Sequence, residues 1–171
     1  MKGKIVLAAL TPDDWRLWRS LRLSALAEAP YAFGSRLADW QGPRDAEEHW
    51  RRRLLDVPHN VVAFYQGVPA GMASGARRGD DEAELLSMWV TPAARGHGVG
   101  DALVESVRTW AEALPASRLT LGVRTRNVAA IVLYRRHGFV DVGQSPDQEP
   151  GGPAERLMIV SLRPRAPDTT A

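Results

Sequence analysis

The stretch from Glu82 to Leu114 constrains this chain more than any other. Glu82–Val90 (Glu-Ala-Glu-Leu-Leu-Ser-Met-Trp-Val) is an apolar run of strand length, the pattern of a central strand. It passes through Thr91-Pro92-Ala93-Ala94 into Arg95-Gly96-His97-Gly98-Val99-Gly100. Apolar residues then recur at helical spacing as Val99, Leu103, Val107, Trp110 and Leu114, until Pro115 stops the helix. A strand, a glycine loop and an amphipathic helix in that order demand a layered fold with sheet and helix packed together.

The flanking segments extend the pattern. Residues 4–9 lean towards a strand, and Thr11-Pro12-Asp13-Asp14 reads as a helix start, with hydroxyl cap, proline and first-turn carboxylates. Leu17, Trp18, Leu21 and Ala25 give that helix an apolar face that ends before Pro30. Residues 30–43 scatter Pro30, Gly34, Gly42 and Pro43 among Tyr31, Phe33 and Trp40, the composition of an aromatic-rich loop or broken helix. Ala46, Trp50 and Leu54 predict a second helix, stopped by Pro58. The period then changes to strand-like over Asn60–Gln66 and Pro69–Arg78, with turns at Gly67 and at Gly79-Asp80-Asp81. Beyond the central unit come a strand at Arg118–Val123, a helix at Asn127–His137, and strands at Phe139–Gln144 and Arg156–Leu162. The order βααβββαβαββ calls for an α/β (α+β) architecture, a mixed sheet with helices on both faces. One domain over residues 1–163 accounts for the 171-residue chain, with residues 164–171 expected to fray.

Composition excludes several functions. The chain has no cysteine, so there is no disulfide framework, thiolate metal site or cysteine nucleophile. Four scattered histidines without a His-x-x-x-His pattern argue against a metal. Twenty-two basic against 20 acidic residues leave a formal charge of +2, which makes no electrostatic case for nucleic acid. No apolar run approaches the roughly 20 residues of a membrane span, and the opening residues read as a strand rather than a secretory signal, so a cytoplasmic protein is expected. The preference for arginine over lysine, with abundant alanine, glycine and proline, suggests a bacterial, GC-rich coding bias.

The glycine loop is the strongest chemical signal. Free amides at a helix start, with no side chains to block approach, form an anion cradle assisted by the helix dipole. Arg95 adds positive charge, and a diphosphate is the natural ligand. The loop lacks the Gly-Lys-Ser/Thr of a Walker sequence, and Asp101 stands where the dinucleotide fingerprint needs its third glycine.

With the preceding apolar strand, Arg95-Gly96-His97-Gly98-Val99-Gly100 resembles the coenzyme A pyrophosphate loop of the GNAT acetyltransferase superfamily. Leu121-Gly122-Val123-Arg124-Thr125-Arg126-Asn127 through Tyr134 to Gly138-Phe139 is similar to that family's second motif, and Leu21–Ser35 to a stretch of its bacterial small-molecule members. The resemblance covers about residues 4–162 and implies a sheet of about seven strands, splayed between the fourth and fifth. It also implies acetyl-CoA as cosubstrate, without a metal. The cofactor positions it implies are the backbone of Met88, Trp89 and Val90, the loop Arg95, Gly96, His97, Gly98, Val99 and Gly100, and then Asn127, Ala130 and Tyr134. Tyr134 would protonate the departing thiolate, although a core tyrosine packing on the sheet is the alternative. Asn127 would serve as helix cap, as a contact to the cofactor, or both.

Glu84 is the expected general base, because alternation along the strand gives it the parity of Met88 and Val90. Glu82 shares that parity, and a solvated strand residue is the plainer alternative. Phe33, Trp40, Trp89 and Glu84 are the expected acceptor contacts, with Asp39, Asp147 and Glu149 available to hold an ammonium. The expected function is acetyl transfer to a primary amine by direct attack in a ternary complex. A non-catalytic acyl-CoA-binding module and a protein N-terminal or lysine acetyltransferase are the alternatives. The expected partner is a small-molecule amine, with no nucleic acid or membrane, and with homodimerisation left open.

Overall fold

A computed structural model describes residues 3–162. The tail from Pro164, expected to fray, lies outside them. Seven strands form one sheet: β1 (Ile5–Ala9), β2 (His59–Tyr65), β3 (Val68–Arg78), β4 (Glu82–Val90), β5 (Arg118–Arg124), β6 (Val140–Gln144) and β7 (Glu155–Ser161). Their spatial order is β1-β2-β3-β4-β5-β7-β6. The helices are α1 (Trp15–Glu28), α2 (Glu47–Asp56), α3 (Val99–Glu112) and α4 (Val128–Arg136). The strand and helix boundaries lie close to those expected from the sequence. The aromatic stretch after Pro30 becomes three short 3-10 turns, Pro30–Ala32, Leu37–Trp40 and Gly42–Arg44, because its prolines and glycines interrupt every attempt at a longer helix.

The two faces of the sheet carry separate cores. Ala83 and Leu85 of β4, with Leu119, Leu121 and Val123 of β5, pack against Leu103 and Val107 of α3. On the other face Val62, Met72 and Trp89 meet Trp18, Leu21 and Ala25 of α1 and Trp50 and Leu54 of α2. Full burial of a side chain such as Leu103 contributes about 1.5–3 kcal/mol. Close approach of α3 depends on missing side chains. A Cβ at Gly71 would stand 2.8 Å from the Trp89 carbonyl oxygen and 2.9 Å from Leu103, and one at Gly75 would stand 2.5 Å from the Trp110 ring.

β4 holds the two features that shape the site. It pairs in parallel with β5 only over Glu82–Glu84, opposite Arg118–Thr120, after which the strands diverge. The backbone from Leu85 to Val90 is therefore left without a strand on its β5 side. The second feature is a bulge: Ser74 faces Leu86 while Met72 faces Trp89, so β4 carries one extra residue there, and Ser87 has a φ of +52°. An inserted residue inverts side-chain parity. Ala83 and Leu85 before the bulge, and Met88 and Val90 after it, all face α3, whereas Trp89 faces α1 and α2. The parity argument for Glu84 is corrected accordingly. Its side chain lies on the face of Trp89, opposite that of Met88 and Val90.

Candidate active site

A cleft of about 550 Å³ opens where β4 and β5 separate. Met88, Trp89 and Val90 form one wall, Asn127, Ala130, Leu133 and Tyr134 the other, and Arg95, Gly96, Gly98 and Gly100 the end. Each part follows from local chemistry. Gly96 (φ +77°) and Gly98 (φ +88°) turn the chain in the left-handed region, where residues with a Cβ are strained. Gly98 is the N-cap of α3, and the first bond of the helix runs from the Ala102 N–H to the Gly98 carbonyl. The amides of Val99, Gly100 and Asp101 consequently have no partner within the helix and are free to meet an anion. A Cβ at Gly100 would stand 3.0 Å from Leu133, so its absence lets α3 and α4 close together at the base of the cleft.

Asn127 caps α4, its side-chain oxygen accepting from the Ala130 N–H at 3.3 Å, and it also lines the cleft. Tyr134 is 5% exposed and tilts against Phe139 with ring centroids 5.8 Å apart. Burial pushes its phenol above the ordinary tyrosine value, so it holds its proton throughout the neutral range.

Arg95 is held across the end of β4. Its Nε donates to the Val90 carbonyl at 3.1 Å and its Nη2 to Glu28 at 2.7 Å. Glu28 also accepts from the Trp89 indole N–H at 2.9 Å, and these bonds from Trp89 and Arg95 lower its carboxyl below the usual range. One β4 carbonyl expected to pair with the cofactor arm is thus already in use. Across the cleft, Asp101 accepts from Arg136 at 2.7 Å and meets His137 Nε2 at 2.9 Å.

Glu84 is not a wall of this cleft. It is the last β4 residue paired to β5, at the apex of the splay, and by strand rise roughly 13 Å from Met88. Arg78 Nε donates to it at 2.7 Å, and Arg78 Nη2 also reaches Asp147. Burial raises the Glu84 carboxyl above the ordinary glutamate range, with Arg78 opposing the shift. Glu82 is held by Arg118 and Thr120.

The model of the Acetyltransferase (GNAT) family matches residues 21–139. The chain belongs to that family. GNAT proteins are acetyl-CoA-dependent N-acetyltransferases, and the strand–loop–helix unit and the splay are both inside the matched span. Among curated relatives, the N-alpha-acetyltransferase RimI of Mycobacterium tuberculosis is 38% identical over an alignment of 96 residues that covers 53% of this chain and 59% of that protein. The spore coat polysaccharide biosynthesis protein SpsD of Bacillus subtilis is 33% identical over 54% of this chain and 32% of its own length. Among solved structures, yncA from Salmonella typhimurium with its cofactor acetyl-CoA superposes with a TM-score of 0.73 at 23% identity, covering 98% of this chain and 100% of its own. That likeness shows the fold.

The GNAT cleft gathers Met88, Trp89, Val90, Arg95, Gly96, Gly98, Gly100, Asn127, Ala130 and Tyr134. His97 and Val99 do not line it. The His97 ring stacks on Tyr65 with centroids 5.0 Å apart, and Val99 is buried against the sheet. The three expected acceptor aromatics also make packing contacts. The Trp89 ring is buried among the α1 and α2 residues, Trp40 stacks on Trp50 at 4.9 Å, and Phe33 lies under the Arg22 guanidinium at 4.7 Å. Sequence reasoning missed Ala29, Asp101, Leu133 and Arg136 on the cleft wall. Leu133 was legible, since it lies three residues after Ala130 on the same helical face. The contact of Glu28 with Trp89 and Arg95 was not, because α1 reaches β4 only through the tertiary fold.

Proposed function

We propose that this protein transfers the acetyl group of acetyl-CoA to a small primary amine. The observation that carries this reading is the convergence on one cleft of an unblocked amide loop, an unpaired strand backbone and a protonated buried tyrosine. Coenzyme A suits the cleft by its chemistry. The amides of residues 96–101 suit the pyrophosphate, and the β4 backbone suits the amides of the arm, as an added strand would. Bound there, acetyl-CoA supplies an acyl group on a thiol leaving group. Tyr134 holds the proton that the departing sulfur takes. Glu84, on the Trp89 face at the apex of the splay, receives the acceptor's proton through water. The similarity to RimI supports a second acceptor class, a protein N-terminus.

Thermal shift with acetyl-CoA tests the cofactor reading. A valine at Gly98 would place a branched Cβ in left-handed backbone and block approach to the loop amides. The wild type should be stabilised by acetyl-CoA and Gly98→Val should lose most of that shift. Equal shifts in the two proteins refute the cradle.

A further inference from the structure

Most arginines with side-chain bonds here meet a carboxylate: Arg19 meets Asp45, Arg51 meets Asp13 and Glu47, Arg78 meets Glu84, and Arg118 meets Glu82. Arg22 departs from this pattern. It is 7% exposed, in the middle of α1, and its Nη1 is buried with no hydrogen-bond partner among the described residues. The Phe33 ring lies under the guanidinium at 4.7 Å. Arg53, from α2, stands near enough to repel it, and burial together with that repulsion lowers Arg22 to about 10. Arg53 hydrogen-bonds only neutral oxygens, Asn60 Oδ1 at 3.1 Å, Ser74 Oγ at 3.2 Å and Ser87 Oγ at 3.3 Å, with the Asp56 carboxylate near enough to attract it. A buried guanidinium with an unpartnered Nη1, beside a second that hydrogen-bonds only neutral oxygens, is an arrangement that folding alone does not favour.

Their position shows where an anion would enter. Ser74 faces Leu86 across the sheet and Ser87 is the bulge residue, so Arg53 sits on the Glu84 face, close to the apex of the splay. A depression lined by Ser35, Asp39, Trp40, Arg52, Arg53 and Asp56 opens beside Arg53, between the 35–44 segment and α2. We propose that Arg22, backed by Arg53, receives the carboxylate of the acceptor, so that the substrate is an amino acid rather than a polyamine or a peptide N-terminus. The proposal rests on the acetyl-transfer reading above and names its substrate class. A planar carboxylate matches the guanidinium fork, while Glu84 and Asp147 on the same side supply negative charge for the ammonium. Phe33 is the side chain that must shift to admit it, and it sits in extended backbone just after the three-residue turn Pro30–Ala32.

The test uses matched pairs that differ only in the carboxylate: L-phenylalanine with phenethylamine, and L-leucine with isoamylamine. O-phosphoethanolamine, spermidine and a C-terminally amidated peptide serve as further acceptors. Thiol release from acetyl-CoA gives kcat/KM, and calorimetry in the presence of coenzyme A gives binding independently of turnover. Each amino acid should exceed its decarboxylated partner by at least about 30-fold in both measurements, the loss expected when a buried charge pair is left half-made. Arg22→Met should collapse that ratio towards one, and Arg22→Lys should restore part of it.

Without acceptor, Arg22→Met should melt at or above the wild type, because it replaces an uncompensated buried charge with an apolar chain. A structural arginine would lower the melting temperature, and that result, or failure to fold, overturns the proposal. Preference for spermidine, the amidated peptide or O-phosphoethanolamine overturns it while leaving acetyl transfer intact. If acetyl-CoA neither binds nor turns over with any amine, the acetyl-transfer reading fails. Selective binding of the amino acids, lost in Arg22→Met, would in that case still stand for the anion site.

Discussion

Replacing Arg78 with methionine should move the acidic limb of the pH–rate profile upward by about 1–2 pH units. Arg78 Nε lies 2.7 Å from Glu84 Oε2, which puts the charge centres about 4 Å apart. At an effective dielectric of about 20 that separation corresponds to roughly 4 kcal/mol. The Arg78 side chain is 42% exposed, so solvent screening cuts the interaction to about 1.5–2.5 kcal/mol, or 1–2 pH units. The sign follows from the charge: Arg78 favours the carboxylate, so its loss raises the Glu84 pKa. Glu84 accepts a proton only when ionised, and the rate therefore rises with pH as it deprotonates. Burial raises the Glu84 carboxyl, so the wild-type limb should itself lie above the ordinary glutamate range. The assay is thiol release at saturating acetyl-CoA, followed against pH for wild type, Arg78→Met and Glu84→Gln. Two acceptor amines of different basicity separate a limb that belongs to the enzyme from one that belongs to the substrate. Glu84→Gln should lack the enzyme limb. An unmoved limb in Arg78→Met, or a surviving one in Glu84→Gln, refutes Glu84 as the base.

Three further predictions concern the leaving group, the packing of the cleft and the acid stability of the fold. Tyr134→Phe should retain acetyl-CoA binding by thermal shift while turnover falls by about 10²–10⁴-fold, and an unchanged rate with chemistry limiting would return Tyr134 to a packing role. Gly71→Ala should cost about 1–3 kcal/mol, because its Cβ meets the Trp89 carbonyl and Leu103 below 3 Å, and thermal unfolding should show a fall of roughly 3–10 °C. The Arg19 and Trp50 hydrogen bonds hold the Asp45 carboxyl down to about 2, below its value in the unfolded chain. Their contribution is therefore complete above that unfolded value and lost as pH falls through about 2. Melting temperatures of wild type and Asp45→Asn should accordingly differ at neutral pH and converge near pH 2.

The sequence by itself determined the order of the elements, the place of the glycine loop and the wall of the cleft formed by α4. These are local facts. Gly96 and Gly98 sit where the backbone turns left-handed, Asn127 caps the helix that it precedes, and Ala130 and Tyr134 share a face through helical periodicity. Tertiary structure decided which way β4 presents its side chains. The bulge at Ser87 has no local signature, since serine rather than glycine takes the positive φ, and it exists only because β3 pairs across it. That one inserted residue turns Glu84 away from the face of Met88 and Val90, and strict alternation along the strand could not anticipate it. Long-range packing likewise committed Trp40 to Trp50, His97 to Tyr65, and Arg95 to Glu28, partners separated by 10 to 67 positions in the chain. The same packing set Arg22 beside Arg53 with no carboxylate between them. In the sequence they read as two ordinary arginines on helical faces. Only the approach of α1 and α2 over the sheet buries Arg22 and leaves its Nη1 without a partner among the described residues.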